Sequence, residues 1–216
     1  WQPYNATKRP GSLRLQSYQT LAHGGDSIMY FQMRQGRGAC EKYHGALIDH
    51  SGRTDTRVFK ECQQIGAELK TLGNQLIGAE TPVRVAILFD WENWWALELS
   101  SGPSVDLHYL SQIEAYYKAF HQLNIPIDFI HPDWDLTGYD LVVAPAMYMV
   151  KNGQEARLKA YVAGGGKLLT TFFSGIVDEN DLVKNGGFPG QMTDLFGIWA
   201  EEMDALFQGQ TKQVKI

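Results

Sequence analysis

The sequence predicts an α/β chain in two parts: the last unit of a (β/α)8 barrel over residues 1–78, then a flavodoxin-like, doubly wound parallel sheet over residues 82–207. Three observations carry this. A short apolar run, Ile28-Met29-Tyr30-Phe31, opens directly onto charged groups, as a barrel strand does where it delivers an active site. A long helical stripe follows it. Beyond Gly78–Pro82 the pattern changes to strands and helices in alternation, the spacing of a parallel sheet covered on both faces. A polar tail, 208–216, closes the chain.

Residues 1–12 are polar and punctuated by Pro and Gly, so they read as loop. Ser12 starts a helix through about His23, with Leu13, Leu15, Tyr18 and Leu21 giving it a partly apolar face. Gly24-Gly25 ends it, and the strand is expected over 27–32. A loop then holds Arg34, Arg37, Glu41, Lys42 and His44. Glu41 and His44, three apart, can point into one pocket, with Arg34 and Lys42 keeping the carboxylate ionised. The pattern alone suits a surface loop with ordinary ion pairs better. Val58, Cys62, Ile65, Leu69, Leu72 and Leu76 then alternate at four and three along a helix over 55–77. As a closing barrel helix it would cover the strand at 27–32.

In the second part, residues 83–89 form a nearly continuous apolar run, as in a central parallel strand. Further strands are expected at 127–130, 141–144 and 167–171, with helices over 106–122 and 154–162. Gly164-Gly165-Gly166 follows a helix and precedes a strand, the wrong order for a phosphate loop, so it reads as a helix end. Asp90-Trp91-Glu92-Asn93-Trp94-Trp95 leaves the first strand where ligands bind in open α/β sheets. Asp90 and Glu92 suit acid/base groups there, but three Trp among polar residues suit a protein interface better. Phe172, Phe173 and Ile176 follow the fourth strand and are expected at the same edge. Ser174 lacks the glycine elbow of a nucleophile.

The 216 residues carry a formal net charge of -5, with no basic run, which argues against nucleic-acid binding. No apolar stretch approaches a transmembrane length, so no membrane partner is expected. The two cysteines make neither a disulfide framework nor a metal site. His108, His121 and His131 lack close metal-ligand spacing. No metal and no cofactor are expected. There is no signal peptide, and a cytoplasmic protein is expected. Trp1 is not a Met, so the chain reads as a piece of a longer protein.

Several motifs fall in one order: Trp1-Gln2-Pro3-Tyr4-Asn5, Lys8-Arg9-Pro10-Gly11, Leu13-Arg14, Ala22-His23-Gly24-Gly25-Asp26, Tyr30-Phe31-Gln32-Met33-Arg34-Gln35, and Glu41-Lys42-Tyr43-His44-Gly45-Ala46. Together they resemble the end of the catalytic barrel in the family 42 glycoside hydrolases, the β-galactosidases. The likeness is dense over residues 1 to about 50 and looser to about 205. It implies a retaining β-galactosidase whose two catalytic glutamates lie on earlier strands, so that no catalytic residue is in this chain. It implies substrate-binding roles for Trp1 as an aromatic platform and for Glu41 and His44 as ligands of galactose hydroxyls, with Phe31 and Arg34 supporting the pocket. The zinc cluster of some members would lie upstream. The second part resembles the trimerisation domain of the same enzymes, whose fold is like that of class I glutamine amidotransferases. The expected partners are a β-galactoside and further copies of the chain, as a homotrimer. The alternative is a free-standing, non-catalytic α/β interaction module.

Overall fold

The computed structural model describes residues 3–213, which divide into two units, Trp1–Thr81 and Pro82–Ile216.

The first unit is a helix pair with a long loop. α1, Ser12–Ala22, begins after Gly11, whose φ of 85° suits a residue without a Cβ. Ser12 does not cap it; the Gly11 N–H donates instead to Glu61 Oε1 at 2.6 Å. α2, Arg57–Leu76, is capped by the Thr56 hydroxyl, which accepts from the Phe59 N–H. It packs on α1. Glu68 is the hub between them: it accepts from Arg14 Nε at 2.8 Å and from the Tyr18 hydroxyl at 2.8 Å. A bond from Gln64, with those from Tyr18 and Arg14, holds its carboxyl below the usual range, while the bond to Glu68 raises the Tyr18 phenol. Ile65 and Ser17 are the fully buried residues of this unit among those described.

The expected strand at 27–32 does not form. Met29 is 91% and Phe31 71% exposed, and no second strand among the described residues runs beside them. A strand exists by pairing, and among the described residues the backbone of this run is met only at its end, where the Leu47 N–H donates to the Gln32 carbonyl at 2.9 Å. The expected cover of the run by α2 fails with it, since Met29, Tyr30 and Phe31 all stay exposed. Just beyond, the chain does pair: Arg34 bridges Ile48, the Ile48 N–H donates to the Met33 carbonyl at 2.8 Å, and the Gln35 N–H donates to the Ile48 carbonyl at 3.0 Å.

The second unit is a three-layer sandwich. Its strands are β1 (Val85–Leu88), β2 (Ile127–Ile130), β3 (Leu141–Ala144) and β4 (Lys167–Thr170), all parallel, in the order β2-β1-β3-β4. The helices are α3 (Trp91–Leu99), α4 (Tyr109–Gln122), α5 (Gln154–Ala163) and the short α6 (Thr193–Phe196). Alternation along the central strands divides the core. Ile87 and Val143 face Leu97, Tyr109 and Ile113 of α3 and α4. Ala86, Leu88, Val142 and Ala144 face Leu158 of α5 and Met192 on the other side. α3 was not expected. Its cap, Asp90, accepts from the Glu92 N–H at 2.9 Å. Gly165, at φ 94°, makes the turn from α5 into β4.

Candidate functional site

The loop after residues 27–32 carries the candidate sugar-binding groups. Cys40–Tyr43 winds into a single 3-10 turn, and the His44 N–H donates back to the Glu41 carbonyl at 3.0 Å. Glu41 and His44 therefore ride on one small unit. The Phe31 ring meets the His44 ring edge-on, centroids 6.2 Å apart at 73°. Glu41 is exposed and lies against Gly36, where an added Cβ would come 3.2 Å from its own Cβ. Among the described residues, none of the ion pairs joins Glu41 to Arg34 or Lys42; the Lys42 ammonium sits 5.2 Å from the Tyr43 ring centroid instead. Arg34 lines a separate polar cleft of about 360 Å³ with Arg37, Asp49 and His50. Phe31, Glu41 and His44 are thus on one loop, with Arg34 beside them on the neighbouring cleft; Trp1 lies outside the described residues.

In the second unit, the carboxyl ends of the strands gather a charged cluster. Asp90 follows β1 and is 3% exposed. Its second oxygen lies 2.7 Å from Lys151 Nζ and 3.6 Å from His131 Nε2. Lys151 also pairs with Glu92. Burial acts to lower the Lys151 ammonium, but its bonds to Asp90 and Glu92 outweigh this and hold it above its ordinary value. His131 reaches Asp133 at 3.5 Å, and Asp133 accepts from Gln154. Every member is taken up by a neighbour, so the cluster ties the start of α3 to the loops after β2 and β3. Asp90 and Glu92 are therefore ion-paired scaffold groups. The remaining histidines are a helix cap, His108, and a ring beside Tyr117, His121. Ser174 is buried, its hydroxyl accepting from the Met147 N–H at 3.1 Å, and does not present a nucleophile.

The aromatic residues separate by exposure. Trp91 and Trp95 are each 56% exposed and form a shelf on α3, with ring centroids 6.3 Å apart. Trp94 turns towards the core. Of the second apolar group, Phe173 stacks on Tyr148 at 5.2 Å and Ile176 is core, leaving Phe172 exposed. Sequence reasoning missed Gln35, Glu61 and Glu68, whose roles come from partners far along the chain. It also missed Asn93, whose amide joins the Ala146 carbonyl and the Met149 N–H.

Comparison with known proteins places both units. The family model described as the β-galactosidase trimerisation domain matches residues 83–216, and that described as β-galactosidase matches residues 1–72. The chain belongs to the family 42 β-galactosidases. It is 53% identical over 216 residues to a β-galactosidase of Planococcus sp. (strain L4), covering 100% of this chain and 32% of that protein. It is 47% identical over 214 residues to one of Lactobacillus acidophilus, covering 99% and 32%. The crystal structure of the β-galactosidase from Bacillus circulans sp. alkalophilus superposes with a TM-score of 0.93 at 55% identity, over 97% of this chain and 31% of that one. The chain thus spans about a third of the length of these relatives. No helix among the described residues is long and apolar enough to cross a membrane, and no group of three or more His, Cys, Asp or Glu among them is set to hold a metal.

Proposed function

We propose that this chain supplies the sugar-holding last turn of the barrel, and the assembly domain, of a retaining β-galactosidase that hydrolyses terminal non-reducing β-D-galactose residues. The observation that carries this is the family match along both units, in register with a loop that presents Glu41 and His44 from one turn. Retaining glycosidases use a nucleophile and an acid/base carboxylate about 5–5.5 Å apart. In this reading both are glutamates upstream of Trp1. The exposed Glu41 carboxylate accepts from galactose hydroxyls, and the His44 ring, braced by Phe31, bonds a neighbouring one. Trp1 would stack on the sugar, and Arg34 would support the pocket from the adjoining cleft.

Assembly as a homotrimer is part of the same reading, supported by the matched trimerisation domain and by the exposed shelf of Trp91 and Trp95. Work in the cytoplasm also belongs to it, supported by the two free thiols, Cys40 and Cys62.

The test uses a chromogenic β-galactoside. A full-length enzyme containing this chain turns it over, and the isolated chain does not. Glu41→Ala in the full-length enzyme lowers kcat/KM about tenfold or more, as expected when a charged acceptor for a bound hydroxyl is lost. Activity within about twofold of wild type removes Glu41 from the site.

A further inference from the structure

Gln35 is half-buried between the two arms of the loop that carries Glu41 and His44. Its amide nitrogen donates to the Lys42 carbonyl at 3.0 Å, and its amide oxygen accepts from the His50 N–H at 3.1 Å. Its own N–H is fixed on the Ile48 carbonyl. The His50 ring, 3.0 Å from the Gly36 carbonyl, adds a second tie between the same arms. Lys42 stands inside the 3-10 turn, between Glu41 and His44. The last carbonyls of so short a turn have no partner within it, so the turn's orientation depends on what holds them from outside.

We propose that Gln35 is a positioning residue for galactoside binding: its amide ties the Cys40–Tyr43 turn to the arm at Asp49 and His50 and so fixes where Glu41 and His44 stand. This rests on the sugar-holding reading above. A primary amide supplies a donor and an acceptor at one point, and both are used here. Glu keeps the acceptor and loses the donor; Met loses both at similar length. The Lys42 carbonyl belongs to an exposed residue, so water replaces the lost bond and folding is little affected. What goes is the placement of two ligand groups, and small misplacements cost large factors in rate.

The experiment is a double-mutant cycle in a full-length enzyme containing this chain, read as kcat/KM on a chromogenic β-galactoside and as Tm. Gln35→Met is expected to lose about tenfold with its Tm near that of wild type, and Gln35→Glu to lose less. In a Glu41→Ala background, Gln35→Met is expected to cost clearly less than its tenfold in the wild type, because one of the two groups it positions is gone. Losses that multiply independently overturn the proposal alone, as does a Gln35→Met enzyme with full activity or with a Tm that falls in step with its activity. A fully active Glu41→Ala enzyme overturns the sugar-holding reading and this proposal with it.

Discussion

Asn93 illustrates how one side chain can hold a loop inside a core. It is buried, and its amide bonds the Ala146 carbonyl at 3.1 Å and the Met149 N–H at 2.8 Å. Those groups lie just after β3, where Ala146 adopts a φ of 41° that a side-chain-bearing residue seldom takes. The Ala146 N–H is fixed by the Thr171 hydroxyl at 2.7 Å. Bonds on both sides of the residue keep this turn in place. Asn93→Leu conserves bulk but leaves the Met149 N–H without its partner, at about 1–3 kcal/mol, while the Ala146 carbonyl keeps its bond from the Tyr148 N–H at 2.7 Å. Urea unfolding of the chain is expected to show a loss of about 1–3 kcal/mol, as a lower midpoint with an unchanged slope. An unchanged midpoint shows that the turn holds without the amide.

At the scale of elements, the sequence was most legible where a segment satisfies itself or its neighbours are nearby. β2 and β3 match their expected bounds, and α2, α5, β1 and β4 fall within one or two residues of theirs. β1 could be read because both of its faces are buried, which leaves an unbroken apolar run. The run at 27–32 looks much the same in sequence, yet forms no strand, because pairing is a property of two segments and composition describes only one. α3 was missed although its signal was present: Asp90 as a cap, then Trp91, Trp94 and Trp95 at helical spacing. Three Trp in a polar setting read as a surface cluster and hid the helix beneath it. The loop site was half legible. Motif order picked out Glu41 and His44, but Gln35 has no signature, since its meaning lies in carbonyls and N–H groups that the fold brings to it.

For the whole molecule, the shelf on α3 makes the assembly claim specific. Two large aromatic side chains left more than half exposed are common at interfaces and costly elsewhere. Sedimentation equilibrium of the full-length enzyme is expected to give three protomers at micromolar concentration, and Trp91→Ala with Trp95→Ala to shift it towards monomer. A monomeric wild type defeats the trimer; a trimer that survives both changes moves the contact elsewhere on the domain. The two units also differ in how much they bury. Residues 82–213 enclose apolar layers on both faces of a sheet, whereas residues 3–81 fully bury only Ile65 and Ser17. A protease detects that difference, because cleavage needs a backbone that opens locally. Brief trypsin digestion of the isolated chain should nick the arginine-rich loop at Arg34, Arg37 and Arg53 first and leave a resistant fragment beginning near Pro82, the natural starting point for a minimal trimerisation module.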